Sequence, residues 1–183
     1  MKILFLSGAD QYGGTYQMAK NILQYVPLYD SRIEYIVLTQ KHGPLNQWCT
    51  QQGIKNYCLP YRYCTYFPSH NRFLSFVKHI VKMCLVSVSN FVALKKIKQL
   101  GILGSIDLIH TNIQRDLFGM IISDKYNIPN ITHMRELSSA HFHLRPLYKN
   151  QFSYMNKFTS RFVAVSDAVK EEWENFGIEK EKI

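Results

Sequence analysis

The sequence predicts an α/β domain with a Rossmann-like, doubly wound, mostly parallel sheet. Three observations carry this. Short, near-continuous apolar runs alternate with helical segments along the whole chain, the pattern of parallel strands covered on both faces. The first run, Lys2 to Ser7, passes through a glycine-containing turn straight into a helix. At 183 residues the chain is long enough for one domain with a substantial core, and short for two.

The elements follow in order. Lys2 to Ser7 is a buried strand bounded by Gly8. Thr15 to Val26 is a helix with Met18, Ile22 and Tyr25/Val26 on one face, and Pro27 is expected to stop it. Ile33 to Thr39 is a second strand, Pro44 to Gln52 a short helix capped by Gly53, and Tyr57 to Leu59 a third strand. Tyr61 to His70, aromatic and polar between Pro60 and Pro68, reads as a loop. Arg72 to Leu100 is a long helix closed by Gly101 and Gly104. Its longest uncharged section, Met83 to Leu94, is 12 residues, which reads as too short to span a bilayer.

Strands are then expected at Asp107 to Thr111, Asn130 to Arg135 and Arg161 to Val165. A helix is expected at Leu117 to Tyr126, and a loop with a further helix between Leu137 and Thr159. Ser166 is placed to cap a helix running to Phe176, with Gly177 at the left-handed stop. The charged turn leading into Ile183 reads as the approach to another strand.

Composition narrows the function classes. With 46% hydrophobic and 19% charged residues the chain is globular rather than disordered, and its 12 Tyr and 11 Phe suit surfaces that meet a partner or another phase. The apolar run at the start is too short for a signal-peptide core, so a cytoplasmic location is expected. Cys49, Cys58, Cys64 and Cys84 show neither C-x-x-C spacing nor zinc-finger histidines, and read as reduced, mostly buried thiols. The net charge of +9 is localised: no Asp or Glu occurs between Tyr35 and Ile106, while nine basic residues do. The other 13 basic and 13 acidic residues cancel. No nucleic-acid-binding motif accompanies the charge. Arg72, Lys78, Lys82, Lys95, Lys96 and Lys98, interleaved with Phe73, Phe76, Val77, Ile80, Val81 and Phe91, have the composition of an interfacial helix on an anionic membrane. A core helix with a solvated basic face has it too. Met83 to Val88, apolar all round, is expected to be buried in something.

In a doubly wound sheet the ligand crevice lies outside the carboxyl ends of the strands. Gly13 and Gly14, with Thr15, open a helix there, where free amides and the helix dipole favour a phosphate. The same glycines also suit a tight turn needing positive φ. The spacing is neither G-x-G-x-x-G nor a P-loop, which argues against a dehydrogenase. His133, Arg135 and Glu136 end a strand, where an Arg-Glu pair can clamp an anion or a sugar hydroxyl and a histidine can move a proton or bind a hydroxyl. An ordinary salt bridge with a satisfied histidine is the structural alternative. His110 and Asn112 follow another strand in the same way. The H-x-H pair His141 and His143 lacks a third ligand nearby, so no metal site is expected.

Four segments together resemble the retaining GT-B glycosyltransferases of the large family 4. Met1 to Leu6 followed by Gly13-Gly14 looks like the opening of that family, and Asp107 to Asn112 is similar to its "D-h-h-H-x-H/N" strand. Ile131 to Glu136 resembles its "h-x-T-x-H/R-E" strand end, and Phe162 to Lys170 its "h-h-x-V-S-x-x-h-K" motif. The resemblance covers the chain from end to end. It implies the N-terminal, acceptor-side half of a GT-B enzyme, a hexosyltransferase of cell-envelope polysaccharide or glycolipid synthesis. The nucleotide-sugar donor would be a substrate rather than a cofactor, bound mainly by a C-terminal domain beyond Ile183.

The acceptor would be a glycan or a lipid-linked saccharide. Gly13, Gly14, Thr15, Asn112, Arg135 and Ser166 would bind substrate, and His133 and Glu136 would be the catalytic candidates. Met134-Arg135-Glu136 stands where the commoner family form has a plain His-Asp. The competing class is a non-catalytic nucleotide- or sugar-binding module. An open reading frame of about 150 further residues, a typical domain length, separates the two.

Overall fold

The computed structural model describes residues 1–8, 11–137 and 143–183. Six strands, β1 (Lys2–Ser7), β2 (Glu34–Thr39), β3 (Lys55–Cys58), β5 (Leu108–Thr111), β6 (Asn130–Met134) and β8 (Arg161–Ala164), form one sheet. Every pairing in it is parallel, and the order β3-β2-β1-β5-β6-β8 is that of a Rossmann fold. A second, two-stranded antiparallel sheet joins β4 (Thr65–Tyr66) to β7 (Arg145–Pro146). The helices are α1 (Gly14–Tyr29), α2 (Pro44–Gln51), α3 (Arg72–Gln99), α4 (Phe118–Tyr126), α5 (Gln151–Phe158) and α6 (Asp167–Asn175).

Strand alternation divides the core into two layers. Ile3 and Phe5 of β1 and Tyr35 and Val37 of β2 pack against Ala19 and Leu23 of α1 and Leu45 and Cys49 of α2. Their neighbours Leu4, Leu6, Ile36 and Leu38 point the other way, against Ala93 and Ile97 of α3 and Phe118 and Ile122 of α4. A third cluster joins Met134 and Phe162 to Met155, Val169 and Trp173 of α5 and α6. Truncating any of the buried Leu, Ile or Met side chains among these to Ala costs about 2–5 kcal/mol. Gly119 is where α4 meets β5: a Cβ there would lie 2.1 Å from Thr111 Oγ1.

Several boundaries differ from the expectation. Pro27 lies inside α1, which runs on to Tyr29, because a proline in the last turn forfeits a single backbone bond. β3 starts two residues early, at Lys55 opposite Ile36, since register with β2 outweighs its polar composition. The aromatic segment read as a loop holds β4 and also a core anchor. Tyr61 is buried, stacks on Phe118 at 4.8 Å and donates its hydroxyl to Leu38 O at 3.1 Å. The charged turn before Ile183 is a 3-10 turn, Lys180–Lys182, in which Ile183 N donates to Lys180 O, and Ile183 packs on the third cluster. Of the four free thiols only Cys49 and Cys64 are buried, and Cys84 is exposed on α3.

α3 corrects one reading and bears on another. An 18-residue stretch of it is long and apolar enough, by length and composition, to cross a membrane, because two charges are tolerated within such a stretch. Met83 to Val88 is not enclosed by this domain either. Only Val86 of that run is buried, while Leu85 and Val88 are exposed. The buried residues of α3, Val86, Asn90, Ala93 and Ile97, all fall in its C-terminal half.

Candidate functional site

The strand order reverses between β1 and β5, so the crevice of this sheet opens beyond Ser7 and Thr111. Asn112 continues the β5 pairing, its N–H donating to Leu6 O at 2.9 Å. Its buried side chain donates from Nδ2 to Ser7 Oγ at 3.3 Å, which ties the two strand ends together.

Arg135 reaches into this corner from the end of β6. Its Nε donates to Asn112 O at 2.7 Å, and its Nη2 donates both to Asn112 Oδ1 and, at 2.8 Å, to His133 Nδ1. Its own backbone N–H is fixed by Gln114 Oε1 at 2.9 Å. A guanidinium only donates, so His133 Nδ1 must carry the lone pair, and neutral His133 holds its proton on Nε2. Burial, reinforced by the Arg135 charge, pushes the His133 pKa down to about 4. Burial also lowers Arg135, to about 10, which leaves it a cation at neutral pH. His133 is thus a hydrogen-bond donor through Nε2 at neutral pH, and Nδ1 is unavailable as a base.

His110 packs its ring against His133 at 4.7 Å and edge-on to Phe5 at 4.8 Å. Burial, with the His133 and Arg135 charges added, pushes its pKa down to about 3, and its buried Nε2 has no hydrogen-bond partner among the described residues. Phe5 belongs to the layer covered by α1, so both histidines lie on that face of the sheet. Gly13 and Gly14 start α1 on the same face and at the same edge.

Neither glycine adopts the left-handed φ that would require glycine. Gly13 is extended, and a Cβ on either would meet nothing within 4 Å among the described residues, so the tight-turn reading is corrected. Thr15 is half-buried in the first turn, and exposed Tyr12 stands edge-on to Tyr16 at 5.2 Å beside it.

Arg135 and Glu136 do not form the clamp that their adjacency suggested. Glu136 pairs instead with Arg115, Nε to Oε1 at 2.6 Å. Consecutive residues leaving a strand point to opposite sides, so Arg135 turns into the corner and Glu136 toward the next loop. Burial raises the Glu136 pKa, opposed by Arg115 and reinforced by Glu172. Arg115 also lies under the Tyr63 ring at 4.9 Å, and the Tyr63 hydroxyl fills the space beside Gly8, where a Cβ would come within 1.5 Å of it.

Asn112, His133 and Arg135 therefore form one bonded unit, and Gln114 Nε2 links it to Glu136 O at 3.2 Å. Gly13, Gly14 and Thr15 share its face and edge. Ser166 stands apart beyond β8, its Oγ accepting from Val169 N at 3.3 Å as the cap of α6. Sequence reasoning missed Tyr12, Tyr63, Gln114 and Arg115. Position just after β5 was the available signal for the last two and position in the loop after β1 that for Tyr12, whereas Tyr63 gave none. His141 lies outside the described residues. His143 has φ 49, a left-handed conformation. A separate apolar cavity of about 420 Å³ lies between α3, α4 and α5, away from this edge.

Comparison with solved structures assigns the fold. Over its full length the chain superposes on 42% of the Anabaena HepE protein solved with UDP-glucose, with TM-score 0.67 and 21% identity. It matches 47% of a UDP-N-acetylglucosamine 2-epimerase at TM-score 0.55 and 12% identity. With 89% of its length it covers 40% of MurG from Acinetobacter baumannii, at TM-score 0.50 and 14% identity. The architecture is half of a GT-B fold, and the chain spans less than half the length of these proteins. No family profile and no curated protein matches the sequence.

Proposed function

We propose that this chain is the acceptor-side half of a glycosyltransferase that moves a hexose from a nucleotide-sugar donor to a glycan or lipid-linked acceptor. The observation that carries the reading is the Asn112–His133–Arg135 unit, a half-buried cation held at the switch point of half a GT-B fold. A guanidinium so anchored is preorganised for an anion or a sugar hydroxyl, because its orientation is set before the ligand arrives. His133 Nε2–H is a second donor at the same place. The amides at Gly13-Gly14 suit the donor diphosphate, and Tyr12 offers an apolar ring face to a sugar or base. Glu136, held by Arg115, is the carboxylate available to accept from an acceptor hydroxyl. Donor binding in this reading falls mainly to a second Rossmann-like domain, with synthesis of cell-envelope polysaccharide or glycolipid at the cytoplasmic face of the membrane as the setting.

Two measurements test this. Calorimetric titration of the chain with UDP and UDP-glucose should give weak binding that Arg135→Ala weakens further, and the chain alone should transfer no sugar. The product of the longest reading frame containing this chain should transfer labelled sugar from a nucleotide donor. A frame ending near Ile183, or a full-length product that binds nucleotide-sugar without transferring it, overturns the enzymatic reading in favour of a binding module.

A further inference from the structure

The outward side of α3 is apolar where an ordinary surface helix is polar. Its core-facing residues, Val86, Asn90, Ala93 and Ile97, mark one side of the helix. At 100° per residue the opposite side carries Phe73, Val77, Val81, Cys84, Val88 and Phe91 in one line. All six are exposed, Phe73, Val88 and Phe91 by 76%, 63% and 69%. From Phe73 to Phe91 the stripe is about 27 Å long at 1.5 Å per residue. It ends in Lys95, Lys96 and Lys98, all exposed, with Arg72 at the other end and Lys78 on its flank. Lys82 is the exception among the six basic residues expected to meet a membrane. It is half-buried, and its pKa is lowered by burial and then by the Arg62 charge, so it turns toward the domain.

We infer that this stripe is a docking surface for an anionic phospholipid bilayer, with α3 lying in the plane of the interface and its apolar line inserted among the acyl chains. Charge decides the occupant. α3 contains no acidic residue, and none occurs anywhere between residues 35 and 106. A second copy of the chain seated on this face would bring cation against cation in either direction, whereas anionic headgroups neutralise both ends. In-plane docking is also the arrangement the fold permits. A helix with four residues locked in the domain core cannot cross a bilayer without leaving the sheet. The cavity between α3, α4 and α5 continues the apolar surface inward past Phe91 and Leu94, giving acyl chains a recess beside the stripe. This inference stands independently of the transferase reading.

Vesicle flotation of the chain tests it, with phosphatidylcholine vesicles with and without phosphatidylglycerol. The chain should float with the anionic vesicles. The triple variant Phe73→Ser, Val88→Ser, Phe91→Ser should lose binding by at least tenfold while keeping its circular dichroism and melting temperature. Lys95→Gln, Lys96→Gln and Lys98→Gln should each cost about fivefold on anionic vesicles only. A polarity-sensitive fluorophore on Cys84 should shift to the blue on vesicles and be quenched by brominated acyl chains. A label that stays water-exposed, a triple variant that binds as well as the parent, or a dimer formed through this face in place of vesicle binding each overturns the proposal.

Discussion

The carboxyl edge of the sheet and the outward face of α3 break the same rule from opposite sides. At the edge, a guanidinium and two imidazoles are withdrawn from water, at a cost that only dense hydrogen bonding offsets. On α3, phenylalanines and valines are left in water, where burying each would contribute about 1.5–3 kcal/mol. A domain stabilised for its own sake would do neither. At the edge, Asn112, His133 and Arg135 hold one another in place, while His110 Nε2 is left without a partner among the described residues. The stripe is unsatisfied, and an extended apolar partner is what completes it. In the readings proposed above, the two departures from the folding rules answer to two different kinds of partner.

The largest expected effect sits at the edge. Arg135→Ala should reduce sugar transfer by the full-length protein by about 10²–10³-fold, the usual loss for one preorganised donor. Arg135→Lys should rescue little, because an ammonium cannot span Asn112 and His133 together. Recovery of near-normal kcat/KM in the Lys variant would make the site one of simple charge.

Next comes Asp116, buried just beyond this edge, with Oδ1 accepting from Phe118 N at 2.9 Å and Oδ2 unpartnered among the described residues. Burial pushes its pKa from 3.8 up to about 7, against the Phe118 bond. A raised pKa means that the folded state holds its proton longer than the unfolded chain does. Its stabilising protonation is therefore fully present below pH 4 and lost as pH rises through 7, roughly 4 kcal/mol at most. Asp116→Asn should raise the urea midpoint at pH 8 and remove this slope. An unchanged midpoint would mean that Asp116 ionises freely.

The histidines give the opposite sign. His110 and His133 have folded pKa values depressed to about 3 and 4, so their contribution is present above pH 6.5 and lost as pH falls through those values. Proton NMR should find both neutral at pH 5.5, and His110→Leu should flatten the acid limb of stability. Titration of either near pH 6.5 would open the corner to water. Gly119→Ala comes next, by an estimated 1–3 kcal/mol from the clash with Thr111. The smallest effect is on α3: its triple serine variant should change stability by less than about 0.5 kcal/mol, as surface substitutions do. A large loss would mean that the stripe packs on something within the domain.

Much of the fold was legible in the sequence. The Lys2–Ser7 run, the Ser166 cap and the Gly53, Gly101 and Gly177 stops are local signals, and each strand of the six-stranded sheet stands within a few residues of its expected place. Pro27 and Tyr61 were misread because their outcomes depend on the end of a helix and on a ring, Phe118, 57 positions away in the chain. At the site, the types and strand-end positions of Asn112, His133 and Arg135 were legible, but their partners were not. Adjacency suggested Arg135 with Glu136, and the fold instead gave Arg135 to Asn112 and Glu136 to Arg115.

Composition and period by themselves determined an α/β domain with a parallel sheet, polar residues at the strand ends and a basic, acid-free middle. Those properties follow from residues within one or two turns of each other. The tertiary structure decided which groups meet. Asn112 bonds Ser7 across 105 residues because β5 lies beside β1, and α3 turns Phe73, Val88 and Phe91 outward because Val86, Ala93 and Ile97 already face the sheet. Local pattern sets what each segment is, and register between distant strands sets what it touches.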